Sequence, residues 1–193
     1  MKAKGDVTES TDAHLVGRVL EGDVHAFGEL VLKYEDSLYN FCYRLSGRRE
    51  ETEDLAQETF IRAYRNLSRF DRTKKFSTWL FAIANNLAID RWRARDPDAL
   101  SIDEIPPSIE PASSLGDPER ETIGRELGEN LEAALGKLPI NYRTAIVLRH
   151  IEGLSYLELS EALGVAEGTI KTWLHRGREL LKREMRAVMG DAL

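Results

Sequence analysis

Apolar residues recur at steps of three and four through most of this chain, the spacing of helices that each bury one face, and the pattern predicts an all-α fold. Leu15, Val16, Val19 and Leu20 mark a short first helix stopped near Gly22, with residues 1–10 frayed ahead of it. Phe27, Leu30, Val31, Tyr34, Leu38, Phe41, Cys42 and Leu45 mark a long second helix stopped by Gly47. A third is expected over 53–67, with Leu55, Ala56, Thr59, Phe60, Ala63, Tyr64 and Leu67 inward. Its outer face carries Asp54, Gln57, Glu58, Ile61, Arg62 and Arg65, acidic at the start and basic at the end as the helix dipole favours. Ile61, a branched apolar residue ringed by polar ones, suits the centre of a protein contact.

The next stretch, FSTWLFAIANNLAIDRWRAR (76–95), contains no Gly or Pro and predicts a full helix with Phe76, Leu80, Ile83, Ala84 and Leu87 as its core stripe. Its other faces interleave aromatics, amides and arginines. Trp79, Asn86 and Arg93 fall on one line, Phe81, Asn85 and Trp92 on another, and Arg91, Arg93 and Arg95 crowd the far end. Such faces can stack on unpaired bases, hydrogen-bond their edges and neutralise phosphates. A helix buried on most sides, with arginines completing its dipole, would carry the same residues. The basic loop before it, SRFDRTKK (68–75), is either a plain connector or a cradle for an extruded base.

From 96 to 124 the periodicity lapses. Pro97, Pro106, Pro107, Pro111 and Pro118 with serines and acidic residues mark a flexible acidic linker between two small helical domains. Beyond it, Leu127, Leu131, Ala134, Leu135 and Leu138 predict a helix ended by Pro139, and Tyr142, Ala145, Ile146, Leu148 and Ile151 another closed by Gly153. Ser155 and Glu158 then form an S-x-x-E capping box before a short helix, Gly164 supplies a tight turn, and a further helix starts around Glu167. This is helix-turn-helix spacing. On the second helix Ile170, Trp173, Leu174, Gly177 and Leu181 point inward, while Lys171, Thr172, His175, Arg176, Lys182 and Arg183 point outward. Such a basic surface can be simply solvated, but after a capped short helix and a Gly turn it suits major-groove reading.

The net charge of −6 argues against nucleic acid only until its distribution is read. Residues 96–121 hold eight acidic side chains and one basic, whereas 171–186 hold six basic and two acidic. One cysteine, Cys42, excludes an internal disulfide framework, fits a reducing cytoplasm and falls in the apolar series of the core. The opening MKAKGDVTES lacks the apolar run of a signal peptide, and no stretch approaches the length of a membrane span. The chain offers no nucleophile elbow, phosphate-binding Gly loop or metal-ligand spacing, and its histidines, His14, His25, His150 and His175, are scattered. An enzyme is therefore not expected.

Two helical domains with these motifs resemble a bacterial RNA polymerase sigma factor of the sigma-70 family, in the short extracytoplasmic-function (ECF) form that lacks the middle domain. The resemblance spans 12–187 and rests on EDLAQETFIRAYR (53–65), FSTWLFAIANNLAIDRWR (76–93) and LPINYRTAIVLRHIEGLSYLELSEALGVAEGTIKTWLHRGRELL (138–181) in combination. The helix-turn-helix alone is shared with many response regulators.

The resemblance implies a domain at 1–95 that binds core polymerase, melts the promoter and reads its nearer (−10) element. It also implies a linker at 96–124 and a domain at 125–193 that reads the farther (−35) element. By that resemblance Asp54, Gln57, Glu58 and Ile61 bind the clamp helices of the largest polymerase subunit. Arg69, Lys74, Lys75, Trp79, Asn86 and Arg93 serve the nearer element: the loop holds a flipped non-template base, Trp79 braces the pocket, and Asn86 makes a base-specific contact. Lys171, Thr172, His175 and Arg176 read the farther element, with Arg149 and Arg178 on phosphates. The implied partners are core RNA polymerase, promoter DNA as duplex and as melted single strand, and an anti-sigma factor, often membrane-bound. No cofactor, metal or catalytic residue is implied, and the location is cytoplasmic. A stand-alone repressor would need the helix-turn-helix but not the Asp54–Ile61 face. An anti-sigma or scaffold protein would have no use for the basic recognition helix.

Overall fold

The computed structural model describes residues 3–95 and 121–189, which form helices and turns and contain no strand. In chain order they are α1 (Ala3–Leu20), α2 (Val24–Ser46), α3 (Arg49–Asn66), a 3-10 turn at Leu67–Arg69, α4 (Phe76–Arg95), α5 (Glu121–Gly136), α6 (Ile140–His150), α7 (Tyr156–Leu163) and α8 (Glu167–Met189). The expected all-α class is what is found. The linker expected at 96–124 lies outside the described residues up to 120, and α5 already begins at Glu121. The first helix is longer than its apolar spacing suggests, because extending a helix from a packed turn adds a hydrogen bond per residue without a new nucleus.

Local chemistry sets the helix ends. Asp23 caps α2: its carboxylate accepts from the main-chain N–H groups of His25 and Ala26 and pairs with Arg18 at 2.6 Å. The Arg18 guanidinium holds that carboxyl below the usual range. Gly47 ends α2 at φ 71°, a left-handed conformation that favours glycine, and its N–H donates to the Tyr43 carbonyl.

The α1–α4 group closes over Val16, Leu30, Leu38, Phe41 and Leu80, none of which reaches solvent. Each such side chain contributes about 2 kcal/mol of burial. Of the predicted α4 stripe, Phe76, Leu80, Ala84 and Leu87 are buried and Ile83 is half-buried. One line of α4 is a correction. Phe81 and Asn85 are buried, with Phe81 edge-on to Phe41 at 5.1 Å, so these two face the core and present nothing to a base, while Trp92 at the end of the line is half-buried. The opposite line, with Trp79 half-buried and Asn86 and Arg93 exposed, faces outward.

The second group, α5–α8, buries Leu135, Leu148, Leu159, Ile170 and Leu174. Both halves of the Ser155–Glu158 capping box are made, and Gly164 turns the chain at φ 67°. Helix α8 lies close on α6 because Gly177 has no side chain: a Cβ there would fall 2.8 Å from Cδ1 of Ile146.

The two groups pack together, α7 on α4 and α5 and α6 on α2. Arg143 is fully buried where they meet, donating to the main-chain oxygens of Gly136 and Leu138 in its own group and of Arg44 at the end of α2 (2.9 Å). Burial pushes its guanidinium down to about 10, so it remains cationic at neutral pH. Beside it, Arg44 pairs with Glu132 of α5 at 2.7 Å.

Candidate nucleic-acid interface

The basic loop is held in shape by its own acidic residue. Asp71 accepts from the Thr73 N–H at 3.0 Å and the Thr73 hydroxyl at 2.6 Å, and these bonds lower its carboxyl. Arg72 ties the loop to α1 by donating to the Ala13 carbonyl at 3.2 Å. Phe70, buried at the base, packs edge-on to Phe76 at 5.7 Å and tilted against Trp79 at 5.0 Å. Loop and helix thus leave a cavity of about 270 Å3 whose walls include Arg69, Lys74, Lys75, Thr78, Trp79 and Ala82.

Four of the residues expected at the nearer element, Arg69, Lys74, Lys75 and Trp79, therefore share one cavity wall. Asn86 and Arg93 do not line it; they continue the Trp79 line outward along α4, exposed. Thr78 is an addition to the expected set. Its hydroxyl is buried in that wall without a hydrogen-bond partner. A hydroxyl in the first turn of a helix entered from a basic loop was the available signal. The cavity's far wall, Glu161 and Ala162 of α7, carried no local signal, because it comes from a distant part of the chain.

On α8, Lys171, Thr172, His175 and Arg176 are exposed, as the helical period predicts, and Arg178 is exposed as well. Thr172 donates back to the Gly168 carbonyl at 2.9 Å, and Arg178 Nε to the Leu174 carbonyl at 3.0 Å. Arg149 is placed differently from a free phosphate ligand. It is half-buried, donates to the Leu154 carbonyl at 2.7 Å and lies over the Tyr156 ring, which fixes the turn into α7.

The outer face of α3 is a separate surface. Asp54, Gln57 and Ile61 are exposed, and Ile61 shows 44% of its area to solvent despite being apolar. Glu58 pairs with Arg62 at 2.8 Å, which lowers its carboxyl. Toward α2 the same helix borders a groove floored by Val31, Ala56 and Phe60 and rimmed by Glu35, Asp36 and Glu53. Cys42 is buried, and burial pushes its thiol up to about 12, the state of a core residue. Among the described residues no helix is long and apolar enough to cross a membrane.

Known proteins share both the sequence and this geometry. Residues 30–97 match the family Sigma-70 region 2, and residues 128–181 match Sigma-70, region 4. The chain is 42% identical over 177 residues to the ECF RNA polymerase sigma factor SigW of Bacillus subtilis, covering 89% of this chain and 95% of that one. It is 34% identical over 192 residues to the RNA polymerase sigma-H factor of Pseudomonas aeruginosa, covering 96% and 100%. Among solved structures it resembles CnrH in complex with the cytosolic domain of CnrY, with a TM-score of 0.68, 26% identity and 92% and 98% of the two chains covered. It also resembles the sigma factor RpoE in complex with the anti-sigma factor NepR from Bartonella quintana, with a TM-score of 0.65, 27% identity and 84% and 98% coverage.

Proposed function

The chain belongs to the sigma-70 family, with ECF sigma factors among its relatives, and on that premise we propose a division of labour between its two helical groups. The protein is an initiation factor that directs core RNA polymerase to particular promoters, and it acts by binding, without a catalytic step of its own. Asp54, Gln57, Glu58 and Ile61 on α3 dock on polymerase. The α8 face of Lys171, Thr172, His175 and Arg176 enters the major groove at the farther element, with Arg178 on a phosphate and Arg149 positioning the turn and lending its charge. The cavity of Arg69, Lys74, Lys75 and Trp79 takes a base from the melted strand, and Asn86 and Arg93 follow that strand along α4. Stacking returns about 1–3 kcal/mol for each base received, which offsets part of the cost of melting. The site of action is the cytoplasm, and an anti-sigma factor is the expected regulator, the kind of partner that the RpoE structure holds in NepR.

The observation that carries this reading is the aromatic-floored basic cavity on α4. A duplex-binding repressor has use for α7 and α8 but none for a place to put an unpaired base. Run-off transcription on a promoter library, with the protein and core polymerase together and each alone, tests it. Specific initiation only with both is the expected result. Tight duplex binding by the protein alone, with no initiation, would establish the repressor instead.

A further inference from the structure

The lysines assigned to DNA in the nearer-element cavity are already paired. Lys74 meets Glu161 at 2.9 Å and Lys75 meets Glu158 at 3.1 Å, and both carboxylates come from α7, the first helix of the helix-turn-helix. Glu158 and Glu161 are three residues apart, so they rise from one face of that helix and reach the loop together. Ala162 on the same face completes the cavity wall. Two carboxylates thus stand against the basic side chains that a DNA strand would need, and the Thr78 hydroxyl stays buried without a partner beside them.

We infer that α7 is a displaceable lid on the single-strand cavity, with Glu158 and Glu161 standing in for DNA phosphates, and that the Arg44–Glu132 pair latches it shut. This rests on the cavity being the single-strand site. In the closed arrangement the carboxylates compete with a phosphate for the same half-exposed lysines. The orphaned Thr78 hydroxyl leaves the closed state short of a hydrogen bond that an incoming base or backbone can supply. The latch lies away from the cavity: Arg44 Nε and Nη2 both donate to one oxygen of Glu132, at 2.9 and 2.7 Å, and the other Glu132 oxygen is buried without a partner. A ligand that needs the open state binds more weakly by the fraction of chains that are closed, so opening the latch raises affinity without adding a contact.

The test uses the full chain and a fluorescein-labelled single-stranded DNA pool of random sequence, read by anisotropy at fixed salt. Arg44→Glu places like charges across the latch and is expected to tighten binding about fivefold, although it makes the protein more negative. The swap Arg44→Glu/Glu132→Arg restores opposite charges and is expected to return binding to the wild-type level. Glu161→Gln, at an exposed position remote from the latch, is expected to tighten binding to a similar degree and carries the test should Arg44→Glu fail to fold. Weaker binding by Arg44→Glu, as its charge alone dictates, would overturn the lid, as would a swap that binds as tightly as the single variant. Run-off assays with core polymerase separate the two readings: no initiation by any of these proteins defeats the proposed function, whereas normal initiation with unchanged single-strand affinity defeats only the lid.

Discussion

The Trp79 indole lies 5.0 Å from the Phe70 ring and 5.8 Å from the Phe76 ring, centroid to centroid, so the side chain offered for base stacking also closes the aromatic core beneath it. The two roles separate by size. Trp79→Ala removes core and cavity wall together and is expected to cost about 3 kcal/mol in urea unfolding. Trp79→Phe keeps a ring against Phe70 and is expected to cost about 1 kcal/mol while weakening single-strand binding through lost stacking area. A Trp79→Ala protein as stable as wild type would remove this residue from the core.

Much of this architecture is legible in the chain itself. Apolar spacing places α2 and α8, each long with one well-marked face, whereas α4 is placed by its length without Gly or Pro and is buried on more than one side. The short α7 follows from its capping box and Gly164, because both are local hydrogen-bond and backbone requirements that a sequence states directly. What local pattern does not state is which of two non-stripe lines on α4 turns inward. Phe81 and Asn85 against Trp79 and Asn86 differ by what α2 brings to them, and Phe41 decides it. Arg143 is illegible for the same reason. A lone arginine between Tyr142 and Thr144 gives no sign that it will be buried to serve carbonyls at the ends of α2 and α5 and in the α5–α6 connection. The α7 wall of the cavity depends on contact between groups far apart in the chain, which periodicity does not encode.

The capping box makes a pH prediction. Burial raises the Glu158 carboxyl, but the Ser155 bonds and Lys75 outweigh it and leave it below its ordinary 4.5. A carboxylate whose folded value is depressed stabilises the fold above its unfolded value, and that contribution is lost as pH falls through the folded one. Glu158→Gln is therefore expected to flatten the stability–pH curve below about 4.5 and leave no added slope at neutral pH. Ser155→Ala is expected to cost about 1 kcal/mol at neutral pH. Thermal melts of the three proteins across the acid range check both. An unchanged acid slope in Glu158→Gln would place the titrating group elsewhere.

Two glycines in helices are expected to respond with opposite sign. At Gly177 an added methyl would lie 2.8 Å from Cδ1 of Ile146 and 3.2 Å from Cβ of Tyr142, and the latter is anchored to its backbone. Gly177→Ala should therefore spread α6 and α8 and lose about 1 kcal/mol net, overpacking outweighing the gain in helix propensity. Gly28, exposed in the second turn of α2, has nothing within 4 Å of where a methyl would sit. Gly28→Ala should gain about 1 kcal/mol. Urea midpoints at constant m-value are the measurement, and a stabilising Gly177→Ala would mean that the helices can part freely.

The two proposed DNA faces lie on different helical groups, so their variants should fail at different promoter positions. Arg176, exposed on α8, is expected on substitution by Ala to weaken discrimination at the farther element by about 2 kcal/mol, the cost of one major-groove contact. Asn86, exposed on α4 one turn beyond the cavity residue Ala82, is expected on substitution by Ala to change the preferred base at the nearer element. Neither lies on the α3 face, so both proteins should retain polymerase in a pull-down. Sequencing the transcripts of a promoter library initiated by each variant resolves the two elements in one experiment. An Arg176→Ala protein that loses polymerase along with promoter choice would move that residue out of the DNA face. An Asn86→Ala protein with wild-type preference would leave the nearer element to the cavity alone.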